Sequence, residues 1–508
     1  MYDQNHLISR LAAARTTTPD KVFATRPGLP DITYRGLFDD AARIARRLCD
    51  AGLAPGDRVA VQVEKTIEAV QLYLGTVMAG GVFLPLNTAY TGAEVGYFLS
   101  DATPSVVVCD PARQGEITAL AGTAQLFSLD ADGQGTLTQD LATLPTDFTP
   151  ITRGADDLAA ILYTSGTTGR SKGAMLSHAN LASNSATLSD IWRFTANDVL
   201  IHALPIFHTH GLFVATNVAL IAGASVVFLP KFDAGAILDA MPRSTALMGV
   251  PTFYTRLLDD PRLNAKTGSN MRLFVSGSAP LLVDTHEKWQ TRTGHRILER
   301  YGMTETNMNT SNPYDGERRA GTVGFALPGV DLRVMDDNGP AERGKIGVIE
   351  VRGPNVFQGY WQMPEKTAEE LRPDGWFITG DLGVIDADGY VSIVGRSKDL
   401  IITGGFNVYP KEIESLLDDI PGVLESAVIG VPHPDFGEAV VAVIVAENHT
   451  LDPQDIDRAI TSQLAKYKQP KQTLFLPELP RNTMGKVQKK ALRETYAGLF
   501  SDTTKTGG

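Results

Sequence analysis

The chain has few of the residues from which disulfide frameworks, cysteine metal sites and membrane spans are built. Only Cys49 and Cys109 occur among its 508 residues, which excludes a disulfide framework and a cysteine zinc site. The apolar stretch 214–229 is interrupted by polar residues and glycine, so no membrane-spanning run is present. We therefore expect no membrane partner, and any thiol chemistry must use a thiol that a substrate supplies.

The charge balance excludes further classes of partner. With 46 Lys and Arg against 58 Asp and Glu, the formal net charge is −12. Such a chain is not expected to bind nucleic acid or an anionic membrane surface, so local cations must meet any anionic substrate. The N-terminus carries no signal-peptide pattern, which favours the cytoplasm. The basic, faintly amphipathic segment 7–15 leaves organelle targeting as the alternative.

The order of apolar patterns predicts an α/β fold with two domains. A chain of 508 residues exceeds what one hydrophobic core usually supports. Helix-spaced apolar residues at 37–48 and short buried runs such as 59–63 and 82–86 predict parallel sheets covered by helices. From 330 to 394, strands and Gly- or Asp-rich turns predict an antiparallel, barrel-like part.

The same patterns predict where the domains begin and end. We expect a large domain over residues 1–395, a charged hinge over 396–399, a small and mobile α+β domain over 400–500, and a disordered tail over 501–508. In the small domain, helices are predicted at 411–417 and 455–466, with strands at 426–431 and 439–446.

The segment 163–173, Tyr-Thr-Ser-Gly-Thr-Thr-Gly-Arg-Ser-Lys-Gly, combines glycines, hydroxyls and two cations behind an apolar strand. Glycines let backbone N–H groups turn toward a bound anion, hydroxyls add donors, and cations offset phosphate charge. It is not the Walker pattern, because no Gly-Lys-Ser/Thr closes it and no helix is expected at its end. Taken alone, the segment could equally be a solvated loop.

Four further segments extend this pattern in order along the chain. They are 301–306 (YGMTET), 375–381 (GWFITGD), 395–399 with 404–410 (GRSKD and GGFNVYP), and 480–486 (PRNTMGK). Together with 163–173 they resemble the motifs of the acyl-adenylate-forming enzymes, which include acyl-CoA synthetases, luciferases and peptide-synthetase adenylation domains. The resemblance spans most of the chain and implies an enzyme that uses ATP, Mg²⁺ and CoA.

The resemblance also implies roles for individual residues. Glu305 would bind Mg²⁺, which prefers one or two carboxylates plus substrate phosphates. Thr304 would contact the α-phosphate, Asp381 would accept the ribose hydroxyls, and Lys486 would reach the carboxylate and α-phosphate, so Thr304, Glu305 and Lys486 form the catalytic set. The implied ATP-binding set is Thr164, Ser165, Gly166, Thr167, Thr168, Gly169, Lys172, Ser278, Ala279, Glu299, Arg300, Tyr301, Gly302, Met303, Thr304, Asp381, Arg396 and Lys486.

The small domain carries the roles that the resemblance implies for the second half-reaction. Lys398 occupies the hinge position between two domain arrangements. Gly404, Gly405 and Phe406 would line the path of the pantetheine arm of CoA, because absent side chains let backbone approach a narrow ligand. Lys486 is also a conceivable target of a lysine acetyltransferase and deacetylase, and acetylation would remove its charge.

The acid-binding region points to a small diacid. Amino-acid-activating relatives carry Asp where this chain has His208, which disfavours an amino acid as substrate. The polar groups His208, His210, Arg256 and Ser278, with the segment 306–310, resemble the malonyl-CoA synthetases. A guanidinium offers two parallel donors to a carboxylate, so Arg256 could bind the distal carboxylate of malonate.

Several alternatives remain open from the sequence. Arg256 could instead be a surface helix residue, with Arg243 as the second candidate cation. The acid could be a short-chain, methylmalonate or aryl carboxylate, and the chain could be a silent nucleotide-binding relative or a carrier-linked adenylation domain. His208 and His210 lack a third ligand for a metal site.

Overall fold

Apolar patterning builds two mainly parallel sheets, one antiparallel sheet and a separate small sheet near the C-terminus. The computed structural model describes residues 2–164, 171–404, 406–447, 451, 453–482 and 485–500. The predicted tail 501–508 lies outside the described residues. No helix in the described ranges has both the length and the apolar character needed to cross a membrane.

The helices within these ranges have the following bounds: α1 (His6–Leu11), α2 (Ala13–Thr17), α3 (Tyr34–Asp50), α4 (Ile67–Met78), α5 (Gly92–Ala102), α6 (Gln114–Leu120), α7 (His178–Ile191), α8 (Asn217–Ala222), α9 (Ala234–Ala240), α10 (Pro251–Leu258), α11 (Val283–Thr293), α12 (Pro364–Glu370), α13 (Pro410–Asp418), α14 (Pro453–Gln463) and α15 (Lys489–Thr495).

The strands have these bounds: β1 (Val22–Arg26), β2 (Leu29–Thr33), β3 (Arg58–Gln62), β4 (Val82–Pro85), β5 (Val106–Cys109), β6 (Gln125–Ser128), β7 (Leu158–Thr164), β8 (Lys172–Ser177), β9 (Val199–His202), β10 (Ser225–Phe228), β11 (Ala246–Gly249), β12 (Leu273–Ser276), β13 (Leu298–Met303), β14 (Asn307–Ser311), β15 (Phe325–Ala326), β16 (Asp331–Asp336), β17 (Gly339–Pro340), β18 (Gly347–Arg352), β19 (Phe377–Ile385), β20 (Val391–Arg396), β21 (Ile401–Thr403), β22 (Phe406–Val408), β23 (Val423–His433), β24 (Gly437–Ala446) and β25 (Gln472–Phe475).

Helix α3 illustrates how the local pattern produces an element of the large domain. Its apolar residues recur at helical spacing and are buried, and the Thr33 hydroxyl accepts a hydrogen bond from the Gly36 N–H at the first turn. The helix packs closely on α4, where a Cβ at Gly75 would lie 2.8 Å from the Ala41 carbonyl oxygen. The helix that the sequence predicts at 37–48 is therefore confirmed within α3.

Two sheets form the body of the large domain within the described residues. One has the order β15-β14-β13-β12-β11-β9-β10-β1-β2, with parallel pairing from β13 through β1 and antiparallel strands at both edges. The other has the order β6-β5-β3-β4-β7-β8, parallel except that β8 returns antiparallel to β7. The α/β class is confirmed, and the expectation that no helix follows segment 163–173 is also met.

The remaining two sheets are antiparallel, except that β25 pairs parallel to β24. Strands β17-β16-β18-β19-β20 form the sheet where the sequence predicts a barrel-like part. The small sheet β22-β21-β24-β23, with β25 alongside β24, is buried on both faces. Alternate residues of β24 enter opposite clusters, with Val440, Ala442 and Ile444 in one and Val441 and Val443 in the other.

The predicted domain limits remain predictions. Strand β20 ends at Arg396, a single 3₁₀ turn follows at Ser397–Asp399, and β21 begins at Ile401. The segment 7–15, for which targeting was the alternative, forms most of α1 and α2 and buries Leu7 and Leu11 in the core.

Candidate active site

The phosphate end of the site lies where strand β7 returns as β8. Thr164 pairs with Lys172 across this hairpin. The intervening predicted phosphate ligands, Ser165, Gly166, Thr167, Thr168 and Gly169, lie outside the described residues. The Lys172 ammonium contacts the Glu370 carboxylate at 3.1 Å and sits 4.0 Å from the centre of the Tyr360 ring. Strand β8 thus places a cation next to the predicted phosphate-binding segment.

Glu305 lies next to this cation and is suited to a hard metal ion. Its side chain is buried, its Oε1 lies 3.0 Å from the Tyr360 hydroxyl, and burial raises its pKa. A nearby divalent cation would offset that penalty. Within the described residues no group of three or more His, Cys, Asp or Glu could hold a metal. One buried carboxylate fits Mg²⁺ that arrives with nucleotide phosphates.

The ribose end is organised around Asp381 on β19. Arg396, its register partner on β20, approaches Asp381 with an Nε–Oδ1 distance of 2.8 Å. The Tyr301 hydroxyl donates to the other oxygen, Oδ2, at 2.6 Å. This brings three predicted nucleotide-binding residues together, with both carboxylate oxygens of Asp381 facing donors.

Residues 302–304 continue from Tyr301 at the edge of the site. Gly302 to Thr304 are half-buried. A Cβ at Gly302 would lie 1.9 Å from the Asn307 carbonyl oxygen, so only glycine fits where β13 turns toward β14. Thr304 and Glu305, the predicted catalytic pair, lie beside each other in the turn between β13, which ends at Met303, and β14, which begins at Asn307.

The acyl end is formed by the segment before a π-helical turn at His210–Thr216. His210 is fully buried, with its Nδ1 atom 3.3 Å from the Ser278 hydroxyl. Ser278 adopts a left-handed backbone conformation, with φ of 72°, which is uncommon for a residue other than glycine. Burial, followed by the charges of Arg300 and Lys486, lowers the pKa of His208 to about 4. Both histidines are therefore neutral at pH 7.

Arg300 belongs to this acyl end. Its guanidinium lies against Gly277, where a Cβ would be 2.4 Å from the Arg300 Cζ atom. Burial lowers the pKa of His208 and His210, and the charge of Arg300 adds to that effect. Burial raises the pKa of Tyr254, and the charge of Arg300 opposes that rise. Arg300 thus adds a third basic side chain to the two predicted histidines.

Arg256 occupies a more open position. It lies on α10 and is exposed, with its guanidinium carbon 5.7 Å from the centre of the Phe232 ring. Thr252, one turn earlier on α10, faces the loop that carries Lys486: a Cβ at Gly485 would lie 3.3 Å from the Thr252 hydroxyl oxygen. The alternative cation, Arg243, lines a surface cleft beside β1 and β10 with Arg26.

Lys486 connects the two ends of the site. Its N–H donates to the Asn482 side chain at 2.9 Å, and Gly485 before it has φ of 75°, so a tight turn presents the lysine. Burial and then Arg396 lower the pKa of Lys486, while Asp381 opposes this shift. Lys486 therefore lies close enough to His208, Asp381 and Arg396 to influence or be influenced by their charges.

Other predicted residues lie at the margin or elsewhere. Glu299 is turned toward α11, where His286 Nδ1 lies 3.3 Å from its carboxylate. Lys398, the predicted hinge residue, is exposed in the 3₁₀ turn Ser397–Asp399. Phe406 is exposed and stacks on Tyr467 at 4.6 Å. Ala279, next to Ser278, is half-buried. Gly404 precedes Phe406 in the small sheet, and Gly405 lies outside the described residues.

Two site residues escaped the sequence reasoning. Tyr360 and Glu370 complete a network with Lys172 and Glu305, the Tyr360 hydroxyl lying 2.5 Å from Glu370 Oε2. Lys172 and Glu370 are 198 positions apart in the sequence, and neither Tyr360 nor Glu370 lies in a recognisable motif. No local pattern in the sequence signals them.

The buried Glu305, the Asp381–Arg396 pair and the neutral histidines lie in the arrangement that the sequence motifs predict for an adenylate-forming enzyme. The sequence profile described as AMP-binding enzyme matches residues 11–361, and that of its C-terminal domain matches residues 412–486. The chain belongs to the AMP-binding enzyme family.

Relatives and solved structures agree with this membership. The mitochondrial malonate–CoA ligase of Mus musculus is 38% identical, covering 91% of this chain and 86% of its own. The indoleacetate–CoA ligase of Aromatoleum aromaticum is 37% identical, covering 92% and 94%. The ATP-bound crystal structure of MatB from Rhodopseudomonas palustris is 61% identical and matches with a TM-score of 0.95, covering 98% and 99%. Apo MatB, at the same identity and coverage, gives 0.84.

Proposed function

We propose that this chain ligates malonate to CoA with ATP and Mg²⁺, through malonyl-AMP, and releases AMP and pyrophosphate. The observation that carries the proposal is the position of Lys486 between the Asp381–Arg396 pair and a basic acyl end. Two malonate–CoA ligases among its relatives, from Arabidopsis thaliana and Mus musculus, support the choice of acid. Another relative, 36% identical to this chain, is a sulfoacetate–CoA ligase, and sulfoacetate is likewise a small acid with a second anionic group.

In the first half-reaction a malonate carboxylate oxygen attacks the α-phosphorus and pyrophosphate leaves. Lys486 and Thr304 stabilise the charge that develops there, because fixed donors cost no reorganisation in the transition state. Glu305 would hold Mg²⁺, which neutralises phosphate charge. Lys172 and the loop after Thr164 hold the β- and γ-phosphates, while Asp381 and Arg396 hold the ribose.

In the second half-reaction the thiol of CoA attacks the acyl carbon and AMP leaves. We assign the hinge to Lys398 and the pantetheine path to Gly404, Gly405 and Phe406. Phe406 stacks on Tyr467, and we infer that the small domain turns between the two half-reactions to bring this segment to the adenylate. The closer match to ATP-bound than to apo MatB supports assigning the present arrangement to adenylation.

The distal carboxylate is assigned to Arg256, with His208, His210 and Ser278 as hydrogen-bonding partners. Arg256→Ala should lower kcat/KM for malonate far more than for propionate, since only malonate offers the guanidinium a second carboxylate. Arg243→Ala, which removes the exposed alternative cation, serves as the matched control. Equal losses for both acids would contradict the assignment.

The function itself is tested by pyrophosphate release from ATP without CoA, one acid at a time. Malonate should give the highest kcat/KM in a panel with methylmalonate, sulfoacetate, propionate and aryl acids. If an aryl or short monocarboxylic acid gave the highest kcat/KM, that acid would replace malonate as the proposed substrate. The assignment as an adenylate-forming ligase would stand. Feruloyl-CoA synthases among the relatives are the reason to include aryl acids.

We further propose that the enzyme acts in the cytoplasm and that Lys486 is subject to acetylation and deacetylation. Acetylation would remove the ammonium charge between the two ends of the site. Treatment with a lysine acetyltransferase and acetyl-CoA should abolish pyrophosphate release, and a deacetylase should restore it. Unchanged activity after quantitative acetylation of Lys486 would refute this role.

A further inference from the structure

Glu370 neutralises the cation at the phosphate end of the site. Its two carboxylate oxygens lie 3.2 and 3.1 Å from the Lys172 ammonium. Among the described residues no other carboxylate forms an ion pair with this lysine. The Lys172 and Glu370 side chains are 19% and 24% exposed, so the pair is neither freely solvated nor sealed from water. Glu370 is therefore the counter-charge of a lysine that the proposed function assigns to the nucleotide phosphates.

Glu370 also has partners that do not depend on Lys172. The Tyr360 hydroxyl lies 2.5 Å from its Oε2 atom, and the Lys366 ammonium lies 3.0 Å from its Oε1 atom. Burial disfavours the charged form of Glu370, but these two hydrogen bonds and the charge of Lys172 outweigh burial and lower its pKa. The carboxylate is thus ionised at neutral pH, and it would keep two partners if Lys172 left it.

Backbone hydrogen bonds fix the position of Glu370 relative to β8, the strand that begins with the lysine. The Trp361 N–H donates to the Gly173 carbonyl oxygen of β8 at 2.7 Å. The Tyr360 N–H donates to the Thr367 hydroxyl of α12, the helix that ends at Glu370, at 2.9 Å. One short segment therefore ties α12 to β8. The carboxylate is held in place, and the lysine, with its flexible four-carbon stem, is the partner that can move.

Nucleotide phosphates and Glu370 compete for the same cation. The proposed function places the β- and γ-phosphates on Lys172. A lysine ammonium is a compact charge that can shift from a carboxylate to a phosphate oxygen within reach. Contact with a phosphate must then replace contact with Glu370, so breaking the ion pair subtracts from the free energy of binding. This cost applies to every ligand that carries both phosphates, and pyrophosphate is one of them.

We propose that Glu370 is a positioning residue that takes Lys172 back from pyrophosphate and so speeds the release of this product. The inference rests on the proposed function and deepens it, because it assigns control over product release to a residue outside the sequence motifs. In the ligand-free enzyme the carboxylate keeps the ammonium paired. Once the adenylate has formed, the same carboxylate competes for the ammonium as pyrophosphate departs.

The test compares Glu370→Gln with wild type and with Glu369→Gln in the full-length enzyme. The control removes the same charge one residue earlier on α12, where the exposed Glu369 carboxylate contacts Lys366 instead of Lys172. Calorimetry gives the Kd for pyrophosphate with Mg²⁺, in the absence of acid and CoA. Steady-state assays give the KM for ATP, and rapid mixing gives the rate of pyrophosphate release.

Glu370→Gln keeps an acceptor for the Tyr360 hydroxyl and loses the charge that competes for Lys172. Its Kd for pyrophosphate and its KM for ATP should fall by about three- to tenfold, above the effect of an exposed ion pair and below that of a fully buried one. Release of pyrophosphate should slow by a similar factor, and Glu369→Gln should behave as wild type. Weaker or unchanged binding of pyrophosphate in Glu370→Gln would overturn the proposal.

A double-mutant cycle shows whether Glu370 acts through Lys172. In a Lys172→Met background, Glu370→Gln should leave the Kd for pyrophosphate unchanged, because the shared cation is gone. The same tightening in that background would overturn the proposal. Glu370→Asp keeps the charge but withdraws it by one methylene, so it should tighten pyrophosphate binding less than Glu370→Gln does. The aspartate variant decides the question should the glutamine variant fail to fold.

Failure of the inference is distinguishable from failure of the proposed function. Wild-type enzyme that does not activate malonate would refute the choice of acid, whereas the Kd for pyrophosphate is measured without any acid. Wild-type enzyme that prefers malonate, with no tightening of pyrophosphate in either Glu370 variant, would refute only the role of Glu370.

Discussion

Replacing Lys486 by alanine should separate the two half-reactions. The lysine is presented by a tight turn that rests on Thr252 of α10, and it acts on both the ribose-side pair and His208. We expect its ammonium group to face the point where the α-phosphate and the attacking carboxylate meet. Alanine removes the ammonium group, while the backbone hydrogen bonds of the turn remain available.

The expected size of the effect follows from the role of the lysine. Losing one preorganised donor to charge that develops in the transition state lowers kcat by about 100- to 1000-fold, or about 2.7–4 kcal/mol. Malonate-dependent pyrophosphate release measures this loss. Thioester formation from supplied malonyl-AMP and CoA should change by less than about threefold, because a different face of the small domain then approaches the adenylate.

The matched control is Lys490→Ala. Lys490 is an exposed lysine of α15 whose ammonium lies 3.7 Å from Glu494, and exposed pairs of this kind contribute about 0–1 kcal/mol. Neither half-reaction should change in this variant. If Lys486→Ala slowed both half-reactions to the same extent, the assignment of this lysine to adenylation alone would be wrong.

Two further predictions concern buried carboxylates. Glu305→Gln keeps an acceptor for the Tyr360 hydroxyl but loses the charge, so pyrophosphate release should need at least about tenfold more Mg²⁺; an unchanged Mg²⁺ midpoint would exclude Glu305 as a ligand. Burial raises the pKa of Asp418 to about 6. Its folded form binds a proton more tightly than its unfolded form, whose pKa is about 4, so stability falls as pH rises between these values. Asp418→Asn should therefore raise the free energy of unfolding at pH 8 by at most about 3 kcal/mol and by little at pH 4, measured by urea titration at both; a gain independent of pH would refute the reasoning.

Local periodicity accounts for the parts of the fold that the sequence predicts well. The helix at 37–48, the strand at 426–431 and the helix at 411–417 each bury a face set by residue spacing, and each lies within α3, β23 or α13. The change from parallel to antiparallel sheet near residue 330 was also readable, because turn residues replace helices between strands. The order of strands in the nine-stranded sheet could not be predicted, because pairing between distant strands has no local signal in the sequence.

The site shows the same division between local and distant information. Motif order brought Asp381, Arg396, Tyr301 and Lys486 into one group, and the structure unites them. The order of the motifs did not reveal Glu370, because the partner of Lys172 is set by the packing of α12 on the large domain. Side chains alternate along β13, so Arg300 lies on the opposite face from Tyr301, and its assignment to the nucleotide site stays a prediction.

The central claim is that the chain makes a malonyl thioester, and one competition measures it most directly. Wild-type enzyme, ATP, Mg²⁺ and limiting CoA are mixed with equal concentrations of malonate, propionate and indoleacetate, and the thioesters are counted by mass spectrometry. The account predicts that malonyl-CoA predominates. Predominance of propionyl-CoA or indoleacetyl-CoA would contradict it.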